Sequence, residues 1–188
     1  MVRSAASLIR TRGVNATSFS EVLADSGAPR GSIYHHFPQG KEQLAEEAIR
    51  WTSESVLEHQ RACRATTPAG VLDHFIAPWR EVVVTSNGAA GCPVAGVAVD
   101  TLPDAKELMA LVRAAFTSWI DLLADQLEAA GLEKDRARSL ALATLAAIEG
   151  ALILCRAERS ARPLEMVAVE LKRLAGSSSR TSRKAARP

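Results

Sequence analysis

Aromatic side chains are scarce in this chain: one Tyr, four Phe and three Trp make up 4% of 188 residues, although 47% of the sequence is hydrophobic. A core of that kind is built mainly from Ala, Leu and Val. Alternating apolar and polar stretches are missing too, and Val and Ile stand singly among Ala, Leu, Glu and Arg. Both absences exclude an extensive sheet, so the expected fold class is all-α. The longest apolar run without a charge, Leu140 to Ile148, is too short for a membrane span. The opening "MVRSAASLIRTRG" lacks the long apolar core of a secretory leader. A soluble, cytoplasmic protein without a membrane partner is expected.

Cysteine is equally sparse. Cys63, Cys92 and Cys155 are odd in number and far apart, which fits neither a disulfide framework nor a paired-thiolate zinc site. His59 and Cys63, four residues apart, are two metal ligands without a third or fourth, and Cys92 has no histidine that the sequence places beside it. No cofactor, no metal and no enzymatic activity are expected.

An excess of one charge is absent as well. The formal charge is +2, but Arg180, Arg183, Lys184 and Arg187 lie in the terminal "SSSRTSRKAARP", so without these four cations residues 1–176 stand at −2. A uniformly basic nucleic-acid binder is excluded, and contact with a polyanion must be local. Ser26 to Lys41 fits that requirement, with Arg30, Lys41, two histidines and no acid. So small a patch needs doubling by symmetry to bind tightly.

Local signals then organise the N-terminal part. Ala5, Leu8 and Ile9 share one helical face, and Gly13 is a C-cap candidate. Ser18 with Glu21 three residues on is a capping box, opening a short helix with Phe19, Val22 and Leu23 on one face. Gly27 supplies a tight turn, and a third helix is expected from about Pro29, tolerated in a first turn, until Pro38 ends it. Ile33 and Phe37 point inward from this helix. Two short helices joined by a glycine turn, the second carrying Arg, Ser, Tyr and His outward, form a helix-turn-helix.

In such a motif the start of the second helix enters the DNA major groove. Arg30 and Ser32 then face base edges, and Gly31 removes a side chain that would hold the helix away. Tyr34, His35 and Lys41 stand where they reach phosphates, as does the Ser18 end of the preceding helix.

Residues 14–44, "VNATSFSEVLADSGAPRGSIYHHFPQGKEQL", closely resemble the DNA-binding segment of the TetR family of bacterial repressors. In that family a hydrophobic-Tyr-His-His-Phe run precedes a Lys-Glu pair and a Leu. "GAPRGSIYHHFPQGKEQLA" with the later "GCPVAGVAVD" resembles the LmrA/YxaF branch. The resemblance implies that Ser18, Arg30, Ser32, Tyr34, His35 and Lys41 sit at DNA-contacting positions. It departs from the family in a first helix that begins almost at Met1, and in Ala28-Pro29 where a hydrophobic-Ser pair is usual.

From Lys41 a long helix is expected to link a DNA-binding domain, residues 1–44, to a ligand-binding and dimerisation domain, residues 45–176, with a disordered basic tail at 177–188. Val71, Phe75, Trp79 and Val83 stack on one face of a further helix. Phe75, Trp79, Cys92, Phe116, Trp119 and Ile120 concentrate bulky or polarizable groups in the middle helices, an ordinary core on periodicity alone. The TetR resemblance turns that reading toward a pocket for a small, mainly hydrophobic effector, to which Glu149 would offer a polar contact. Leu140 to Leu154 is apolar nearly all round, and Leu164, Val167, Leu171 and Leu174 form a second stripe. Together these make a four-helix homodimer interface of the kind by which the family dimerises. The function expected is a ligand-responsive repressor that binds a palindromic double-stranded DNA operator as a dimer. The alternative is a helical protein-interaction adaptor, which leaves "RGSIYHHFPQGK" without a purpose.

Overall fold

The computed structural model describes residues 1–101 and 105–184, with side chains described up to residue 176. Among the described residues the chain is helical, without strands, in the order α1 (Val2–Arg12), α2 (Phe19–Ser26), α3 (Ser32–His36), α4 (Lys41–Arg61), α5 (Pro68–Thr85), α6 (Pro93–Asp100), α7 (Lys106–Ala129), α8 (Lys134–Glu158) and α9 (Arg162–Lys184). Two compact units form. One comprises Met1–Val56 with Ala90–Ser118, and the other comprises Leu57–Ala89 with the chain from Trp119 onward.

In the first unit, α1 ends at Gly13, whose N–H reaches the Ile9 carbonyl. Ala5, Ala6 and Ile9 are buried there with Val22, Ile33 and Phe37, so α1, α2 and α3 close over a small core. Leu44, Ala45, Ala48 and Ile49 complete it from the first half of α4. The predicted helix boundary near Pro29 moves to Ser32, because residues 28–31 form the turn instead. Ser32 donates its amide to the Pro29 carbonyl at 3.0 Å and its hydroxyl to the same oxygen at 2.6 Å.

The second unit packs α5, α8 and α9 together. Val71, Leu72, Phe75, Ile76, Trp79 and Val83 form the buried face of α5, as their fourfold spacing predicts. Among the described residues, α8 is the one helix that could cross a membrane by length and composition. In the structure Leu140, Thr144, Ile148, Ala151 and Cys155 are instead buried within the unit. The inward stripe of α9 is Leu164, Ala168, Leu171 and Ala175. Leu164 and Leu171, assigned to a partner-facing stripe by periodicity, therefore belong to the chain's own core. Met166, Val169 and Leu174 are the exposed apolar residues of this helix. Helical backbone in α9 continues past Gly176, where the sequence predicts a disordered tail, since each residue added to a formed helix closes one more bond. Residues 185–188 lie outside the described residues.

Candidate nucleic-acid interface

The helix-turn-helix begins with the Ser18 cap. Ser18 accepts the Glu21 amide at 3.3 Å, and Glu21 Oε2 accepts the Ser18 amide at 3.0 Å and its hydroxyl at 2.8 Å. Donation from the Ser18 amide and hydroxyl, with the Arg12 guanidinium beyond, holds the Glu21 carboxyl below the usual carboxylate range. The reciprocal cap fixes where α2 starts. Gly27, at φ +67° and ψ +12°, ends it in the left-handed conformation that a residue with a Cβ adopts only at a cost.

The following turn carries Arg30 and Gly31 into solvent, just ahead of α3. Arg30 forms no salt bridge among the described residues, so its guanidinium fork is available. Beside it a groove of about 490 Å³ is lined by Phe19, Ser20, Leu23, Ala24, Ala28, Arg30 and Tyr34. Tyr34 meets Phe19 edge to face, ring centroids 5.9 Å apart, yet remains 71% exposed. Packing of the ring therefore orients the side chain without hiding it. His35 is also exposed.

Ser32 is half-buried, and its hydroxyl hydrogen is committed to the Pro29 carbonyl. Lys41 opens α4, the end of a helix where a cation is least favoured. Its Nζ is held by the Asn15 carbonyl at 2.8 Å, leaving further N–H donors exposed to solvent. Ser18, Arg30, Gly31, Ser32, Tyr34, His35 and Lys41 thus all lie within one compact unit, as the helix-turn-helix reading requires.

The residues assigned to an effector pocket divide between the units. Phe75, Trp79, Trp119, Ile120 and Glu149 belong to the second, Cys92 and Phe116 to the first. Trp79 and Trp119 come together, ring centroids 5.9 Å apart at 59°, and both are buried with Phe75. Phe116, Ile120 and Glu149 are half-buried. Cys92 is a buried thiol that caps α6, its Sγ accepting the Ala95 amide at 3.4 Å. Burial pushes the Cys155 thiol up, which makes it an inert core group.

Two further features escape sequence reasoning. Trp79 Nε1 and the Thr144 hydroxyl are buried without a hydrogen-bond partner among the described residues. A core polar group in that state costs about 1–3 kcal/mol. Thr144 carried no signal because a threonine within an apolar helix ordinarily bonds back to its own turn. Among the described residues, no three His, Cys, Asp or Glu side chains group to hold a metal ion.

Comparison with known proteins covers both the N-terminal and the C-terminal part of the chain. Residues 2–48 match the family described as bacterial regulatory proteins, tetR family, and residues 68–170 match the transcriptional regulator LmrA/YxaF-like C-terminal domain. An HTH-type transcriptional regulator of Mycobacterium tuberculosis is 41% identical over 93% of this chain and 91% of its own length. The HTH-type transcriptional regulator LmrA of Bacillus subtilis is 28% identical, over 87% of this chain and 88% of its own. Among solved structures, a TetR transcriptional regulator from Legionella pneumophila superposes with a TM-score of 0.82 at 23% identity, covering 93% of this chain and 94% of its own.

Proposed function

From the premise that this chain belongs to the TetR family of bacterial transcriptional regulators and binds DNA, we propose that it is a dimeric, effector-released repressor whose reading residues are Arg30 and Ser32. The single observation that carries this reading is the exposed, unpaired Arg30 at the entry to α3, beside capped helix α2. An arginine placed there bonds guanine N7 and O6 in a fork, while Gly31 leaves room for the backbone to approach. Ser32 accepts from a base amino group, because its own hydrogen is already donated to Pro29. Tyr34, His35, Lys41 and the Ser18 end of α2 meet phosphates and set the register. The DNA-binding domain is then residues 1–44, with the ligand-binding and dimerisation domain at 45–176 and the basic tail beyond.

Two-fold pairing doubles the small basic head and sets two reading elements about one DNA turn apart, which calls for a palindromic operator. The outward faces of α8 and α9 suit that pairing. Leu142 and Ile153 are 56% and 68% exposed, and Ala143, Ala146 and Gly150 let a second helix approach closely. A monomer gains nothing from that apolar stripe in water.

The effector enters the helical body among Phe75, Trp79, Trp119, Ile120 and Glu149, all of the second unit. It is mainly apolar and carries an acceptor for the Trp79 indole N–H. Effector bound more tightly by a dimer whose heads no longer match successive grooves lowers DNA affinity by that difference. The chain acts in the cytoplasm, without a membrane, a cofactor or catalysis.

Binding to a fragment of its own upstream region, followed by gel shift at two salt concentrations, tests the reading. Specific retention by the wild type, lost by at least tenfold in Arg30→Ala with the dimer intact, is the expected result. Equal retention of unrelated DNA by both proteins refutes specific readout by Arg30, and no salt-dependent retention at all returns the chain to the adaptor class.

A further inference from the structure

Helix α6 lies outside the helix-turn-helix, yet it is tied to the turn between α1 and α2 within the same compact unit. The Gly91 amide donates to the Arg10 carbonyl at 2.8 Å, where α6 is approached. At its far end Asp100 Oδ2 accepts the Val14 amide at 2.9 Å, and Asn15 Nδ2 donates to the Asp100 carbonyl at 3.1 Å. The approach is close enough that a Cβ on Gly13, at φ +80°, would stand 2.0 Å from Asp100 Oδ2. A side chain at this position would displace the carboxylate and strain the backbone.

Asn15 is therefore held from two sides. Its side chain is fixed by Asp100, and its own carbonyl receives Lys41 Nζ at 2.8 Å. Asp100, Val14, Asn15 and Lys41 all line one cleft of about 730 Å³. Lys41 has a second reason to depend on this carbonyl. An ammonium group at the start of α4 is repelled by the positive end of the helix dipole, so without the Asn15 oxygen it is drawn away from the helix. A lysine also loses much side-chain entropy when held, which the bond must offset before a phosphate arrives.

We propose that Asp100 is a positioning residue for DNA binding: by fixing the Val14–Asn15 turn it aims Lys41 Nζ at the DNA backbone. The inference rests on the reading of Lys41 as a phosphate contact. It makes the C-terminal end of α6 a control point for that contact, because any displacement of Asp100 releases Asn15 and with it the lysine.

The test uses the full chain and a duplex from its own upstream region, with affinity followed against salt. A phosphate contact contributes about 0.9 to the slope of log affinity against log salt. Lys41→Ala should lower the slope by about that amount per protomer. Asp100→Ala should lower it equally, the double variant should lose nothing more, and Asp100→Asn, whose amide oxygen still accepts the Val14 N–H, should restore the wild-type slope. Hydrogen exchange at the Val14 amide should quicken in Asp100→Ala but not in Lys41→Ala. Asn15→Ala removes only an exposed side-chain tie, so it keeps the test open should Asp100→Ala not fold. It too should lower the slope without adding to Lys41→Ala.

Wild-type slopes in Asp100→Ala or Asn15→Ala, or losses additive with Lys41→Ala, overturn the proposal while leaving the repressor reading intact. A wild-type slope in Lys41→Ala overturns the phosphate assignment beneath it, and a wild type that fails to bind the duplex at all overturns the repressor reading itself.

Discussion

At the scale of single residues, one charge does structural work that acid should expose. The Glu21 carboxyl is held below its usual range by the Ser18 amide and hydroxyl and by Arg12, so its ionised form is favoured by folding. A depressed carboxyl contributes stability above its unfolded value, about 4.3 for Glu, and that contribution is lost as the pH falls through the folded value. Asp73, depressed first by Lys172 and then by Arg80, acts in the same direction. Thermal midpoints recorded from pH 7 downward should therefore decline below about pH 4.3. The decline should be shallower in Glu21→Gln, which keeps a cap for the Ser18 amide without the titrating charge; identical acid limbs would show that the cap contributes no proton linkage. Trp79 gives the second residue-scale expectation. Trp79→Phe removes the orphaned indole N–H and keeps an aromatic ring in the core. An effector identified by release of the upstream fragment should bind this variant about tenfold more weakly, a loss of about 1.4 kcal/mol, by titration calorimetry. Unchanged affinity would remove Trp79 from the pocket.

At the scale of elements, α5 shows how a local defect recruits a distant partner. Pro78 stands inside this helix and has no N–H for the His74 carbonyl four residues earlier. His59 Nε2 lies 2.9 Å from that carbonyl, and His74 Nε2 lies 2.8 Å from the His59 carbonyl, with the two rings stacked 4.1 Å apart at 9°. A carbonyl only accepts, so both Nε2 atoms carry their hydrogen. The arrangement pins the end of α4 to the middle of α5. His59→Ala should cost about 1–2 kcal/mol in urea denaturation, and distinctly less when Pro78→Ala supplies an amide to the same carbonyl. Additive losses would mean that His59 does not answer the proline gap.

Element by element, legibility followed the range of the interactions. The Ser18–Glu21 cap, the left-handed Gly27 and the buried Ile33–Phe37 pair were readable because each depends on residues three or four apart. The start of α3 was misplaced by three residues, since Pro29 is acceptable in a first turn and only the Ser32 bonds to its carbonyl move the helix onward. The stripe of α9 read as partner-facing divides, with Leu164 and Leu171 in the chain's own core and Leu174 exposed, for a different reason. Leu164 and Leu171 on one side and Met166 and Val169 on another are all apolar, and periodicity cannot say which set a neighbouring helix covers.

At the scale of the whole molecule, the proposed repressor reading calls for a second copy of the chain. Leu142, Ile153 and Leu154 on α8 and Met166 and Val169 on α9 are all exposed apolar side chains, the kind of surface that a partner helix covers. Leu142→Glu with Ile153→Glu should leave the fold of a protomer in place, because neither side chain is in its core. Sedimentation should then report monomers, and operator binding should fall far more than tenfold, as half the phosphate contacts leave with the partner. A double variant that stays dimeric would place the interface elsewhere.

The sequence by itself determined the all-helical class and the helix-turn-helix, because hydrophobic period, caps and turns are set by neighbours along the chain, and it pointed to the family through the resemblance carried by residues 14–44. It also marked the aromatic centre of the body. Only the tertiary structure decided which apolar face turns inward, that the Trp79 N–H finds no acceptor among the described residues, that Pro78 is answered by His59, and that Asp100 holds the Val14 amide across 86 positions of sequence. Such pairings depend on how whole helices pack, and no local pattern in the chain encodes where a distant residue will arrive.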